Sequence, residues 1–328
     1  MSGSDDGLRI RRSTADDEPA ILALLGDSLG WGSDERFASF FEWKHEKNPF
    51  GASPGWVAVD GDRIVGFRTF MRWEFEGPNG AVRAVRAVDT ATHPDYQRRG
   101  IFARLTRRAL DELTAEGVHL VFNTPNQRSG PGYLKLGWLS VGRLAVAARP
   151  TSPSTLVRMA RARQPAQRWS LPIDHGLAPA EVMSHPGVTD LLGSQPLVTG
   201  LRTCRTRRFL AWRYGFDPLG YRVVLAGRDI DDGFAIFRVR RRGGAAEASV
   251  SETIVADDAP KLRRSALRRV VATPGVDYVV TLDGPHPRRC GFFPVPGQGP
   301  NLVARPLAGE TVLPLGGWNL SLGDVELF

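Results

Sequence analysis

The spacing of apolar and polar residues predicts alternating strands and helices from the start of the chain. Residues 8–12 favour a strand. Residues 13–29 favour a helix, because Ser13 and Thr14 are each followed three positions later by an aspartate, as at many helix starts. A second helix is predicted within the aromatic-rich segment 37–50, and it ends before the proline of that segment.

The next part of the chain has the period-two alternation that is typical of strands. Residues 56–75 predict two strands joined by a hairpin turn at Asp60-Gly61. Residues 82–92 predict a further strand. The first half of the chain is therefore expected to build a sheet.

Helical periodicity returns at residues 100–116. Five apolar residues share one face of this predicted helix, and Gly117 ends it. A strand at 118–123, a short helix near Tyr133 and a strand at 139–148 follow. The residues of the apolar face are Ile101, Leu105, Ala109, Leu110 and Leu113.

After residue 200 the chain repeats itself weakly. The segment FFEWKHEKNPFG at 40–51 is echoed by FLAWRYGFDPLG at 209–220, and LAVAARP at 144–150 is echoed by NLVARP at 301–306. Two copies of a unit longer than a hundred residues indicate a domain duplication, not a solenoid. Where the first copy reads HPDYQRRGIFARL, the second reads ADDAPKLRRSAL and holds no glycine, so we expect the second copy to be degenerate.

Composition is that of a globular protein. Hydrophobic residues make up 42% and charged residues 24% of the 328 residues, and no apolar run approaches the ~20 residues of a membrane helix. Residues 1–7 lack the apolar core of a signal peptide and predict a disordered lead-in. Cys204 and Cys290 are far apart, and the six histidines show no metal-ligand spacing, so we expect a cytoplasmic protein without a metal site.

The net charge of +8 comes from an excess of arginine. This balance is compatible with nucleic acid, an acidic surface or anionic small molecules as partners. It is equally explained by a composition rich in Ala, Gly, Pro and Arg. Because the arginines are spread through predicted helices and strands without interleaved aromatic residues, a nucleic-acid partner is not favoured.

The turn at Gly100 has the chemistry of an anion site. A glycine turn that opens a helix directs backbone N–H groups, and the positive end of the helix dipole, at one spot outside the chain. A pyrophosphate fits such a spot. Arg98 and Arg99 add charge where charge-assisted hydrogen bonds are strong.

Two motifs together resemble the GCN5-related N-acetyltransferase (GNAT) family, which uses acyl-coenzyme A. The family's phosphate signature, [RQ]-x-x-G-x-[GA], reads here Gln97-Arg98-Arg99-Gly100-Ile101-Phe102, with Phe102 in place of a small residue. A second family pattern, N-x-x-[AS]-x-x-x-Y-x-K-x-G-[FW], is met at all six fixed positions, although a Gly-Pro-Gly stretch replaces the usual helical spacer. The six residues are Asn126, Ser129, Tyr133, Lys135, Gly137 and Trp138.

The resemblance implies both a fold and roles for these residues. The fold is an α/β (α+β) fold with a mixed central sheet flanked by helices, here duplicated as two GNAT-like domains. Tyr133 would be the general acid that protonates the departing thiolate. Asn126 would bind the pantetheine arm. The remaining contacts to acetyl-CoA, or another acyl-CoA, would come from Ala91, Thr92, His93, Gln97, Arg98, Arg99, Gly100, Ile101 and Phe102.

The residue that removes the proton from the acceptor amine is open. Asp89 lies on the strand that leads into the phosphate turn, although an ion pair with Arg83 or Arg86 is an equal alternative. Two domains and a tail also resemble the aminoglycoside acetyltransferases of the enhanced-intracellular-survival type, in which the C-terminal carboxylate reaches the active site. Further candidates are therefore Asp324, Glu326 and the terminal carboxylate of Phe328, or a solvent relay.

The sequence predicts an acyl-CoA-dependent N-acetyltransferase that works by direct attack in a ternary complex. The acceptor is an amino sugar, an aminoglycoside-like or other small amine, or a protein lysine, with no membrane and an open oligomeric state. An inactive coenzyme A-binding module and a basic nucleic-acid-associated protein are the alternatives. The predicted organisation is a lead-in at 1–7, an acyl-CoA-binding domain at 8–150, a connector with a basic helix at 151–200, and a degenerate domain with a tail at 201–328.

Overall fold

The computed structural model describes residues 7–31, 34–307, 309 and 311–325. Most of its helices and strands lie where the spacing of apolar and polar residues predicts them. The strands are β1 (Arg9–Arg12), β2 (Gly55–Asp60), β3 (Arg63–Gly77), β4 (Gly80–Thr92), β5 (Leu120–Asn123), β6 (Leu139–Arg143), β7 (Val146–Pro150), β8 (Leu201–Thr203), β9 (Arg222–Leu225), β10 (Gly233–Arg242), β11 (Ala245–Val255), β12 (Tyr278–Leu282), β13 (Phe293–Pro294), β14 (Asn301–Pro306) and β15 (Trp318–Asn319). The α-helices are α1 (Glu18–Leu29), α2 (Arg36–His45), α3 (Ile101–Ala115), α4 (Gly130–Lys135), α5 (Thr155–Arg161), α6 (Pro179–Ser184), α7 (Gly187–Gly193), α8 (Arg207–Tyr214), α9 (Pro260–Val271), α10 (Pro285–Arg289) and α11 (Leu322–Val325).

The chain divides into two compact units. The first holds the described residues up to Gly142 together with the described residues of Asn301–Pro314. The second holds Arg143–Pro300 and the described residues from Leu315 onward. Most of the lead-in predicted at 1–7 lies outside the described residues.

The first unit is built on a mixed sheet with the strand order β1-β2-β3-β4-β5-β14-β6. Strand β4 is antiparallel to β3 and parallel to β5, because the chain crosses over from β4 to β5 through α3. The parallel pairing is short and joins Ala84–Arg86 to Leu120–Phe122. Beyond it the carboxyl ends of β4 and β5 are unpaired with each other, which leaves an opening in the sheet beside the start of α3.

Both faces of this sheet are covered by apolar side chains. The predicted apolar face of α3 is buried as expected and forms one core with Trp56, Phe70, Val121 and Trp138. The opposite face carries α1 and α2, whose Leu25 and Phe41 pack with Val57, Phe67 and Ala91. Each helix thus buries one stripe, as amphipathic helices on a sheet do.

The second unit has its own mixed sheet, with the order β13-β7-β12-β11-β10-β9. Strand β11 is antiparallel to β10 and parallel to β12, with α9 as the crossover helix. The segment that we predicted as a connector, 151–200, lies within this unit and contains α5, α6 and α7. The predicted basic helix at 154–163 is α5.

Each sheet takes one strand from the other half of the sequence. Strand β14 pairs antiparallel with β5 in the first unit, and β7 pairs antiparallel with β12 in the second. These two strands are the echoed segments LAVAARP and NLVARP. The strand predicted at 139–148 is accordingly two strands, β6 and β7, because the chain turns at Gly142, whose φ of 145° suits glycine, and at Leu144, whose N–H donates to Pro300 O.

Candidate functional site

The turn between β4 and α3 has two left-handed residues. Gly100 has a φ of 74° and precedes the first helical residue, and Arg98 has a φ of 64°. A Cβ at Gly100 would meet open space within 4 Å, so the glycine is favoured by its left-handed backbone conformation and not by crowding. The N–H groups of the first turn of α3 have no carbonyl partner within the helix. They converge on the exposed stretch 97–100 as a site for an anion.

The side chains of this turn divide into solvent-facing and core-facing ones. Gln97, Arg98 and Arg99 are exposed, and the guanidinium of Arg99 lies 4.7 Å from the centre of the Tyr96 ring. Ile101 is buried in the core, so it can offer an anion only its backbone N–H. Phe102 is half-buried, with its ring edge-to-face against Tyr133 at 5.6 Å.

A β-bulge in β4 lies just before this turn. Thr69 pairs with Val88 and Arg68 pairs with Thr90, so Asp89 is the extra residue, with a φ of 33°. The N–H of His93 donates to Val65 O at 2.9 Å. Because amides alternate sides along a strand, Thr92 directs its backbone groups away from β3, into the opening beside β5.

Of the three residues predicted to contact the thioester, Ala91 and His93 therefore have backbone groups less available for hydrogen bonding to it than those of Thr92. The backbone groups of Ala91 face β3, as those of His93 do, and its side chain is buried in the core. The His93 ring is part of the turn: Nε2 lies 2.6 Å from Arg63 Nη2, and Nδ1 accepts from Asp95 N at 3.3 Å. Thr92 is half-buried and remains the residue of this trio that opens toward the gap.

The second motif forms a turn and the short helix α4. The side-chain oxygen of Asn126 accepts hydrogen bonds from Arg128 N at 3.0 Å and Ser129 N at 2.9 Å, which holds the turn before the helix. Asn126 itself is exposed. A pantetheine contact from this side chain stays a prediction, and it would have to come from the amide nitrogen, because the oxygen is in use.

Tyr133 lies on α4 with only 5% of its surface exposed. Its ring packs edge-to-face against Trp138 at 5.1 Å. Its hydroxyl oxygen accepts a hydrogen bond of 2.8 Å from Nη1 of Arg68, a residue of β3. Arg68 is a site residue that reasoning from the sequence missed. The available signal was weak, because Arg68 is one of three arginines in the strands predicted at 56–75.

Asp89 is bound to the basic end of α2, not to the arginines considered above. Its Oδ2 accepts from Lys44 Nζ at 2.8 Å and lies 2.8 Å from His45 Nε2. Burial alone would raise the pKa of the Asp89 carboxyl, but the Lys44 ammonium and the hydrogen bond to His45 outweigh burial and hold that pKa below its ordinary value. Lys44 and His45 were also not singled out from the sequence.

Burial favours the neutral form of the His45 imidazole. Burial lowers its pKa below the usual 6.5, although Asp89 acts in the opposite direction. Among the described residues, Nδ1 of His45 is buried without a hydrogen-bond partner. The ring therefore donates through Nε2 to Asp89 and keeps an unused lone pair on Nδ1.

Of the tail carboxylates, only Asp324 falls within the described residues. It is fully buried in the second unit, where its carboxylate accepts from Arg205 Nη2 and from Ser321 N, each at 2.7 Å. Glu326 and the terminal carboxylate of Phe328 lie outside the described residues. The proposed role of the tail in proton removal stays a prediction.

Two further properties concern only the part of the chain that the structure describes. No cluster of three or more His, Cys, Asp or Glu side chains there could hold a metal ion. Within the same residues, no helix combines the length and apolar character that crossing a bilayer requires.

The sequence and the fold were compared with those of known proteins. Residues 9–140 match the family model of the acetyltransferase (GNAT) domain. No curated protein matches the sequence. The GNAT resemblance and the mixed α/β fold expected from the sequence are confirmed.

Solved structures resemble the chain over most of its length. They include a probable N-acyltransferase from Enterococcus faecalis V583, with a TM-score of 0.65 and 11% identity over 92% of this chain and 73% of that chain. A GCN5-related N-acetyltransferase from Anabaena variabilis has a TM-score of 0.64 and 13% identity over 90% and 72%. Eis1 from Mycobacterium abscessus has a TM-score of 0.58 and 14% identity over 92% and 73%. Identities this low establish a shared fold alone.

Proposed function

We propose that the GNAT acetyltransferase domain of this chain transfers an acetyl group, or another acyl group, from acyl-CoA to a primary amine. The observation that carries the proposal is the turn at Gly100, which presents the free N–H groups of α3 beside the gap between β4 and β5. The pyrophosphate of coenzyme A would bind these N–H groups, with Arg98 and Arg99 adding charge. The thioester would then reach the backbone of Thr92.

The reaction would proceed by direct attack within a ternary complex. The amine nitrogen attacks the thioester carbonyl carbon, the C–S bond breaks, and its electron pair passes to sulfur. Tyr133, as the general acid, gives its hydroxyl proton to the thiolate. Asn126 would contact the pantetheine arm through its amide nitrogen, and the second unit would be the degenerate copy.

Topology supports the duplication. In both units a hairpin is followed by a crossover helix and a short parallel pair, and in both the hairpin contains a register shift. The helix start in the second unit does not fit a pyrophosphate. There Asp257 and Asp258 are the residues with left-handed backbone, so two carboxylates stand where the first unit has its glycine turn. Pro260 is the first residue of α9 and has no backbone N–H to donate to an anion.

The proton of the amine has several candidate acceptors. Asp89 stays a candidate, although its low proton affinity and its two partners weigh against it, because an effective general base has a pKa near the working pH. The tail carboxylates and a water relay are the others. The acceptor is proposed to be an amino sugar, an aminoglycoside-like or other amine, or a protein lysine; cytoplasmic location and any homo-oligomer stay predictions.

Thermal unfolding with acetyl-, propionyl- and succinyl-CoA tests the binding step. A ligand of the folded state at 100 times its dissociation constant adds about 2.7 kcal/mol of stability. We expect that gain for the wild type and for Gly61→Asp, but not for Gly100→Asp. Both glycines have a positive φ and open space around the Cβ position, so the two variants share the backbone strain and differ in where they place a carboxylate. No shift of the wild type with any acyl-CoA would overturn the proposal.

Release of free thiol in the presence of an amine panel tests turnover. Acyl-CoA binding without thiol release from any amine would favour the inactive coenzyme A-binding module instead. Release that depends on both acyl-CoA and amine would favour the enzyme, and the most active amine would then identify the class of acceptor.

A further inference from the structure

A fully buried arginine touches the hydroxyl of the proposed general acid. Arg68 has no exposed surface, and its Nη1 donates to Tyr133 Oη at 2.8 Å and to the hydroxyl of Thr90. Its guanidinium carbon lies 4.5 Å from the ring centre of Phe70, 5.2 Å from that of Phe102 and 5.1 Å from that of Tyr133. The charge is therefore held by three aromatic rings and two hydroxyls.

Within the part of the chain that the structure describes, the guanidinium lacks the carboxylate that usually accompanies a buried charge. Among the described residues, no carboxylate pairs with Arg68, and its Nε and Nη2 are buried without hydrogen-bond partners. An uncompensated buried charge destabilises a fold, and an apolar side chain of similar length would fill the same space without that penalty. A contribution to the stability of the fold therefore does not explain why an arginine occupies this position.

The geometry does explain an electrostatic role. Because Nη1 donates to Tyr133 Oη, one lone pair of that oxygen is occupied and the hydroxyl proton must point away from Arg68. When Tyr133 gives this proton to a thiolate, negative charge develops on the same oxygen. A guanidinium at hydrogen-bond distance, in apolar surroundings, stabilises that charge far more than it would in water.

We propose that Arg68 is a positioning residue for acyl transfer that orients the Tyr133 hydroxyl and stabilises the phenolate formed as the thiolate departs. The inference rests on the proposed function. As the amine forms the C–N bond and the C–S bond breaks, the proton of Tyr133 moves to sulfur and yields the coenzyme A thiol. The amine loses its proton to one of the candidate acceptors given above, and the phenolate regains a proton from water.

Steady-state kinetics of Arg68→Met, Arg68→Lys and Tyr133→Phe, with the double variant Arg68→Met/Tyr133→Phe, test this role. We expect Arg68→Met to lower kcat with acetyl-CoA by about 10²-fold, the usual effect of removing one preorganised donor, and to leave the acyl-CoA-induced thermal shift unchanged. Arg68→Lys should restore part of the loss. In the Tyr133→Phe background, Arg68→Met should cause no further loss, because it acts through the hydroxyl.

A matched control is Arg12→Met. Arg12 also stacks on an aromatic ring of the first unit, 4.6 Å from the centre of Trp56, but it bonds to Glu112 and Glu116 at the other end of α3. We expect its kcat to match the wild type. Thermal unfolding of Arg68→Met should show a cooperative transition, since the substitution removes an unpaired buried charge.

Three results would overturn the inference. Arg68→Met could cost as much in the Tyr133→Phe background as in the wild type, which would make its effect independent of the hydroxyl. The loss could be confined to succinyl-CoA and malonyl-CoA, which would make Arg68 a receptor for an acidic acyl chain. A wild type that binds no acyl-CoA or turns none over would overturn the proposed function and this inference together, whereas the first two results leave the proposed function intact.

Discussion

The ring of Phe102 lies directly against Gly132. A Cβ at Gly132 would lie 3.3 Å from Cε1 of Phe102, closer than most such contacts. Phe102 is the position where this chain departs from the small residue of the GNAT phosphate signature, and Gly132 belongs to the Gly-Pro-Gly stretch that departs from the second motif. We therefore expect the two departures to compensate each other, because the absence of a Cβ at Gly132 leaves space for the Phe102 ring that packs edge-to-face against Tyr133.

Enlarging position 132 should displace this ring and, with it, Tyr133. We expect Gly132→Leu to lower kcat because the new side chain and Phe102 compete for the same space. The double variant Phe102→Ala/Gly132→Leu should recover activity, since the volume is restored. Gly130→Leu is the control, because a Cβ there would meet open space. Equal losses in the single and the double variant would contradict compensation.

Acid should destabilise the first unit through His45. The folded state keeps this imidazole neutral at a pKa below 6.5, whereas the unfolded chain takes up a proton near pH 6.5. The stability contributed by the neutral ring is therefore present well above pH 6.5, and it decreases as the pH falls through 6.5 toward the folded pKa, by at most about 1.4 kcal/mol per pH unit. Lys44 and Glu46 act on the same ring in opposite directions.

The comparison with His45→Gln isolates this effect. The glutamine amide can donate to Asp89 as Nε2 does, but it does not titrate. We expect urea unfolding at pH 7.5 and 5.5 to show a smaller loss of stability for His45→Gln than for the wild type. An equal loss in both proteins would assign the acid sensitivity to other groups.

A pair of substitutions separates structure from catalysis at Asp89. Asp89→Asn alone should destabilise the fold by about 3 kcal/mol, because it removes the carboxylate charge that pairs with the buried Lys44 ammonium. Lys44→Met/Asp89→Asn removes both charges and should recover stability. We also expect it to recover most of the kcat, since a carboxylate of such low proton affinity is a weak base. A kcat that stays about 10²-fold low in the stable double variant would make Asp89 the general base.

The spacing of apolar and polar residues predicted those parts of the site that are formed by residues close together in the sequence. The apolar face of α3 and the left-handed Gly100 follow from spacing and from the special conformational freedom of glycine. The residues that hydrogen-bond to Tyr133 and Asp89 could not be predicted in the same way. Arg68 reaches Tyr133, and Lys44 reaches Asp89, only through the pairing of β3 with β4 and the packing of α2, which depend on residues far apart in the chain.

Because β14 comes from the other half of the sequence, we predict that a fragment ending at residue 142 does not fold stably. Residues 8–142 alone leave the edge of β5 unpaired, and an uncovered strand edge promotes aggregation. Joining residues 8–142 through a short Gly-Ser linker to residues 299–314 restores β14, so we expect this fusion to unfold cooperatively while 8–142 aggregates. Val303→Asp in the fusion is the control, because Val303 is buried in the core beside α3 and a carboxylate there should abolish folding. Cooperative unfolding of 8–142 by itself would show that β14 is dispensable.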